Sequence, residues 1–174
     1  MTAYRLIALD DAPVLAELLR ANRDFLAQWE PMRGAEYFTE AGQHAAIAAS
    51  LSERDGGHGV PCVMLDGDGA VVGRVNISNI VRGAFQSASL GYWMAESAGG
   101  RGVATAAVRD IIRMAFTDLG LHRIQADTLV HNVASQRVLA RNGFVRIGLA
   151  PRYLKIAGRW QDCVLHQVIN DAVG

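Results

Sequence analysis

Only two cysteines occur in the 174 residues, Cys62 and Cys163, far apart, the first between Pro61 and Val63 and the second followed by the apolar Val164 and Leu165. That argues against a disulfide framework and for a pair of buried free thiols. No Cys/His spacing matches a zinc site, so no metal is expected. Neither sign of charge predominates: seventeen Lys and Arg balance seventeen Asp and Glu. Broad attraction to nucleic acid or to a membrane surface is therefore not expected. No apolar run is long enough to span a bilayer, and the N-terminus lacks the basic-then-apolar pattern of a signal peptide. A cytoplasmic location follows as the expectation. Internal repeats, low-complexity segments and linkers are absent too, and the length suits one domain over residues 1–174. Half the residues are hydrophobic (51%) and a fifth are charged (20%), an ordinary globular composition.

What is present reads as alternating strands and helices. Arg5 to Leu9 suits a short strand. Asp10 and Asp11 suit capping of a helix carrying Pro13 in its first turn and Val14, Leu15, Leu18 and Leu19 at helical spacing. Pro31 breaks the helical stretch Asn22–Arg33. A second helix is predicted from Thr39 to Glu53, apolar through Ala45, Ile47, Ala48 and Leu51. Strands 60–65 and 70–77 are joined by Asp66-Gly67-Asp68-Gly69, a hairpin signal. After a turn over 79–86 come a strand at 87–95 and a helix to about Leu119, with Gly120 suited to its C-cap. A strand at 122–129, a helix at 132–141 and strands at 144–149, 153–156 and 160–169 complete the chain. This order implies an α+β or mixed α/β fold around one central sheet.

The chain is organised around Gly99-Gly100-Arg101-Gly102-Val103-Ala104-Thr105, a glycine-rich turn between a strand and a helix. Glycines allow positive φ and close backbone approach, and the first amides of a helix attract anions. A tight turn without a ligand is the alternative reading. No lysine followed by Ser or Thr closes the loop, which excludes a nucleoside-triphosphate P-loop. Thr105 stands where a dinucleotide fingerprint needs its third glycine. A third pattern fits, x-x-x-Gly-x-Ala over Gly99 to Ala104. A second constellation is Asn132-Val133-Ala134-Ser135 followed by Asn142-Gly143-Phe144. Asn132 reads either as an N-cap or as a ligand-facing amide at the same helix turn.

Together these motifs resemble the GNAT acetyltransferases, whose acetyl-CoA pyrophosphate loop has the x-x-x-Gly-x-Ala pattern. The glycine loop, Asn-x-x-Ser turn, Asn-Gly-Phe ending and Gly158-Arg159-Trp160-Gln161-Asp162 segment occur in that family's order and spacing. Asn22 to Leu26, Trp29-Glu30-Pro31 and Asn76 to Gly83 further resemble its RimJ-type ribosomal-protein-alanine N-acetyltransferase branch. The resemblance covers nearly the whole chain. Two departures stand out. Gly99 replaces the usual Gln or Arg, and no Tyr lies between Asn132 and Arg141, where many relatives carry a general acid.

The resemblance implies a single GNAT-like domain. Its central sheet would be mostly antiparallel with one splayed parallel strand pair, and helices would cover both faces. Acetyl-CoA would be the cosubstrate. The backbone of Tyr92, Trp93 and Met94 would pair with its pantetheine arm, and Gly99, Gly100, Arg101, Gly102, Val103, Ala104 and Thr105 would hold its pyrophosphate. Asn132 would hold the pantetheine or the acetyl end, and Ser135 would assist the leaving thiolate. That demand is modest, since a thiol's reference pKa is about 8.5. Glu30 would bind or deprotonate the acceptor amine, with a solvated helix-end charge as its bland alternative. Phe25 and Trp29 read either as core or as an aromatic wall of the acceptor slot, which Asn76, Ser78 and Arg82 would also line. Asp162 would hold the final hairpin. The expected acceptor is a protein N-terminus, in particular the alanine of a ribosomal protein. Acetylation of an aminoglycoside or polyamine is the alternative within enzymes, disfavoured because the segments that would form the slot hold few carboxylates apart from Glu30. A CoA-binding module without turnover is the alternative outside them. Monomer and dimer stay open.

Overall fold

One sheet of seven strands runs through the protein: β1 (Tyr4–Leu6), β2 (Val60–Leu65), β3 (Val71–Val81), β4 (Ser87–Met94), β5 (Arg123–Leu129), β6 (Val145–Ile156) and β7 (Arg159–Ile169). These elements come from a computed structural model that describes residues 3–171. The strand order is β1-β2-β3-β4-β5-β7-β6, and every neighbouring pair is antiparallel except β4 with β5. Among the described residues five α-helices accompany it: α1 (Ala12–Ala21), α2 (Arg23–Ala27), α3 (Glu40–Asp55), α4 (Val103–Thr117) and α5 (Val133–Arg141). The mixed, mostly antiparallel sheet with one parallel pair is the architecture that the GNAT resemblance implies.

Period-2 alternation assigns the faces of the sheet. In β2, Cys62 and Met64 pack in one cluster with Val108, Ile111 and Ala115 of α4. The intervening Val63 packs on the other side with Leu15 of α1 and Ile47 of α3. Both cysteines are buried and free, as expected. Burial pushes the Cys62 thiol up to about 12. Turn chemistry sets the hairpins. Asp66 Oδ1 accepts from the amides of Asp68 and Ala70, and Gly69 sits at φ 83°.

Several boundaries differ from the sequence reading. The first strand stops at Leu6 rather than Leu9, and Leu9–Asp11 forms a 3₁₀ turn. Asp11 makes no side-chain cap on α1. Its carboxylate instead pairs with Arg5 at 2.6 and 2.8 Å and accepts from the Ala8 amide at 2.8 Å. In α3 the expected apolar residues Ala45 and Ala48 are exposed. Gln43 is buried in their place, with its Nε2 donating to the Tyr37 carbonyl at 2.6 Å. The β3 strand continues to Val81, passing the expected turn through an irregularity at which Asn79 takes φ 51°. The expected strands 144–149 and 153–156 are one strand, β6, with a register shift between Ala150 and Leu154. Arg152 there takes φ 49°, and its amide donates to Asp162 Oδ1 at 2.9 Å. Asp162 thus holds the last hairpin.

Candidate functional site

The parallel pair β4–β5 is in register only from Ser87↔Arg123 to Ser89↔Gln125. Beyond it the strands separate, leaving Tyr92, Trp93 and Met94 on one side of the opening and Asp127 to Leu129 on the other. The backbone of β4 therefore has no strand partner on its β5 side at Tyr92–Met94. At the end of β4 the chain enters the glycine loop. Gly100 and Gly102 both adopt positive φ, 74° and 79°, and a Cβ at either would meet nothing within 4 Å. Gly102 is the N-cap of α4 and supplies no side-chain cap. The first intrahelical bond runs from Ala106 N to Gly102 O at 3.0 Å, so the amides of Val103, Ala104 and Thr105 precede the ladder. Arg101 is folded back, donating to the Ser97 carbonyl at 2.8 Å. A row of uncapped amides at a helix N-terminus beside an arginine suits a pyrophosphate.

Across the opening lies the first turn of α5. Asn132 caps it, with Oδ1 accepting from the Ser135 amide at 3.1 Å. The far end of α5 is tied to the start of α4 by Asn142 Nδ2 donating to Thr105 O at 3.2 Å. The Tyr92 phenol crosses from β4 and meets Ser135: their hydroxyls are 2.7 Å apart, and the phenol lies 3.2 Å from the Ser135 carbonyl. Burial pushes the phenol up to about 12, against the contrary pull of the Ser135 hydrogen bond. Tyr92 is therefore a protonated donor throughout the neutral range. A tyrosine hydroxyl thus reaches this turn from β4, although α5 itself carries no tyrosine.

The other face of the sheet carries Asn22, Trp29 and Glu30. Asn22 Oδ1 accepts from the Glu96 amide at 2.9 Å, pinning the α1–α2 corner to the turn after β4. The tip of the β6–β7 hairpin holds the segment's other end, with Ala157 N donating to Glu30 O at 3.0 Å. Between these anchors Trp29 packs against Leu129, Ile156 and Cys163 and lies 5.3 Å from the His131 ring. Trp29 is thus both a packing residue and part of the wall beside β5. Glu30 lines a cavity of about 180 Å³ with Arg33 and Tyr37. Burial pushes its carboxyl above the ordinary carboxylate range, while Arg33 and Arg74 pull it back. Phe25 is half-buried on α2 and does not line that cavity. Asn76 and Ser78 line a second cavity of about 580 Å³ along β3.

Arg82 lies elsewhere. Its guanidinium donates to Leu119 O at 2.6 Å, just beyond the C-terminal end of α4. That is the end opposite the glycine loop, where β4 and β5 are still paired, so Arg82 lies apart from the β4–β5 opening. The sequence reading also missed two polar residues that the sheet turns inward. Asp127 shares a strand face with Leu129, and burial raises its pKa while His166 lowers it. Arg74 lines the larger cavity. A charge in a strand reads as solvent-facing, and only the pairing register turns these two inward.

Sheet order, splayed pair and glycine-led helix together define an acetyltransferase fold. The chain belongs to the GNAT acetyltransferase family: the family's model, described as Acetyltransferase (GNAT) domain, matches residues 3–145. It is 35% identical to the ribosomal protein uS5-alanine N-acetyltransferase of Escherichia coli, over 92% of this chain and 84% of that protein. Among solved structures it resembles the ribosomal-protein-S5-alanine acetyltransferase of Vibrio fischeri, with a TM-score of 0.92, 34% identity and coverage of 100% and 97%. It also resembles Mycobacterium smegmatis RimJ in complex with CoA-disulfide, with a TM-score of 0.93, 34% identity and coverage of 98% and 82%. Among the described residues no helix is long and apolar enough to cross a membrane.

Proposed function

We propose that this protein moves the acetyl group of acetyl-CoA to the N-terminal α-amine of a protein, with alanine preferred and a ribosomal protein as acceptor. The observation that carries the reading is the opening between β4 and β5, with the Tyr92–Ser135 pair at one side and desolvated Glu30 on the other face. The relatives' acceptors support the choice of substrate.

Gly99 to Thr105 and the unpaired backbone of Tyr92, Trp93 and Met94 suit the pyrophosphate and pantetheine arm, and Asn132 orders the α5 turn that faces them. Acetyl-CoA supplies a thioester, and direct attack by a neutral amine forms the amide and releases the thiol. Glu30 takes up the amine's proton, directly or through water. The demand on it is small, because an α-amine has pKa about 7.7–8.0 against about 10.4 for lysine. Ser135 donates toward the leaving sulfur and is backed by the Tyr92 phenol. A backbone amide of Tyr92–Met94 polarises the carbonyl, as an oxyanion donor does.

The test is an acetyl-transfer screen over N-terminal peptides, lysine peptides, polyamines and aminoglycosides, read by mass. Acetylation of the α-amine supports the reading. CoA binding without turnover on any acceptor would make the protein a binding module, and preference for a small polyamine would move it to the other enzyme class.

A further inference from the structure

Arg74 is buried without the partners a buried charge ordinarily has. It sits in β3, in register with Val63 of β2 and Trp93 of β4, on the face that carries α1 and α3. Its relative exposure is 7%. Among the described residues its one hydrogen-bond partner is Ser50 Oγ, at 3.4 Å, and its Nε has none. Arg5 makes the contrast, with two short bonds to the Asp11 carboxylate. An arginine kept for structure alone would be satisfied in that way, because an uncompensated buried charge is costly.

Arg74 also lines the cavity of about 580 Å³, with Asn76 and Ser78 following it on the same strand face. That volume is in the range of small-molecule and peptide-terminus sites. Arg74 is within electrostatic reach of Glu30 and Tyr37, which line the smaller cavity. No ion pair joins Glu30 and Arg74 among the described residues: Glu30 lines the smaller cavity and Arg74 the larger, so the two opposite charges stand apart. A carboxylate and a guanidinium held apart in this way complement an amine and an oxygen held apart by a short covalent bridge. A guanidinium fork also suits two-point recognition of a carbonyl or carboxylate group.

We propose that Arg74 is an acceptor-binding residue that grips the carbonyl or carboxylate oxygen on the carbon next to the acceptor amine, while Glu30 receives the amine. The ligand class is an α-amino acyl group. This rests on the N-acetyltransfer reading above and narrows it. Amines without a neighbouring carbonyl are then poor acceptors for a reason of binding, beyond their basicity. The chain beyond the first residue runs out past Asn76 and Ser78.

The experiment compares wild type, R74K and R74Q on three acceptors: an alanine-initiated peptide, free alanine and isopropylamine. Comparing each variant with wild type on the same acceptor cancels differences in amine basicity. Both variants should lose about tenfold to hundredfold in kcat/KM on the peptide, the loss of a hydrogen bond to a charged group, mostly through acceptor KM. Isopropylamine and the KM for acetyl-CoA should move by about twofold or less. A larger loss on free alanine than on the peptide assigns the grip to a carboxylate; the reverse assigns it to a peptide carbonyl. Equal losses on all three acceptors, or an unchanged acceptor KM, overturn the proposal. Where isopropylamine turnover is too slow, alaninamide is titrated onto the CoA complexes of wild type and R74K. Equal Kd values there overturn the proposal as well. R74K keeps the charge, and its CoA-induced thermal shift certifies the fold. Wild type that acetylates lysine peptides but no α-amine would instead reject the N-terminal reading, and this inference with it.

Discussion

The contact between Tyr92 and Ser135 carries a kinetic consequence that a double-mutant cycle can isolate. Tyr92→Phe removes the hydroxyl and keeps the ring, so no cavity opens in the cluster it shares with α4. Two contacts vanish, one of 2.7 Å to Ser135 Oγ and one of 3.2 Å to the Ser135 carbonyl. At about 0.5–1.5 kcal/mol for each net hydrogen bond, the variant loses about 1–3 kcal/mol. For a domain of this size each kcal/mol lowers Tm by about 2–4 °C. The kinetic effect is bounded differently. General acids contribute about 10²–10⁴-fold, but a thiolate with a reference pKa of about 8.5 leaves without full protonation. Ser135→Ala should therefore cost about 10–30-fold in kcat with acetyl-CoA KM nearly unchanged. Tyr92 acts through Ser135 and is a positioning residue in this account. Tyr92→Phe should lower kcat less than Ser135→Ala does, and the double variant should be no slower than Ser135→Ala alone. Steady-state kinetics on all four proteins gives the answer. Losses that multiply would refute the relay, and an unchanged kcat in Ser135→Ala would leave thiol protonation to solvent or another group.

Three further predictions concern the rest of the site. CoA should raise Tm, since a ligand at one hundred times its Kd adds about 2.7 kcal/mol to native-state stability. Gly102→Asp should abolish that shift through charge repulsion and strain at φ 79°, and no CoA shift in folded wild type would contradict the pyrophosphate site. Asn132→Ala should lose about 0.5–2 kcal/mol of stability with the cap and weaken CoA binding; thermal melts with and without CoA separate the two. Glu30 gives a pH signature. Its raised pKa means the folded state holds this proton more tightly than the unfolded chain, whose ordinary value is 4.5. Its contribution to stability is therefore full below that value and falls as pH rises through the folded pKa. Glu30→Gln should melt higher than wild type at about pH 8, with the difference fading toward about pH 4.5, and should turn over more slowly. A constant offset in Tm across that range would contradict the assignment.

The features legible in the sequence are those set by local chemistry. Gly100 and Gly102 announce positive φ, Asn132 announces a cap three residues before Ser135, and Asp66-Gly67-Asp68-Gly69 announces a hairpin. Each appears as expected. The features that escaped depend on long-range register. Nothing local says that β4 and β5 part after Ser89 and Gln125, or that the Tyr92 side chain reaches α5. Arg74 and Asp127 escape a sequence reading because strand alternation does not reveal which face is covered. The resemblance of the Asn76 to Gly83 segment groups Arg82 with Asn76 and Ser78, yet β3 runs on to Val81 and carries it to the far end of the sheet. Ala45 and Ala48 looked like core because alanine suits a buried face. The tertiary contact that decides the matter belongs to Gln43 and the Tyr37 carbonyl.

Acceptor choice is the central claim, and one paired assay addresses it. A peptide with a free N-terminal alanine is compared with the same peptide blocked at its N-terminus and carrying an internal lysine. Both are incubated with acetyl-CoA at about pH 7.5, where the α-amine is substantially neutral and lysine almost wholly protonated. The modified nitrogen is mapped by mass. The account predicts acetylation of the alanine α-amine and little on the lysine. Preferential modification of lysine would contradict the N-terminal assignment while leaving the GNAT fold intact.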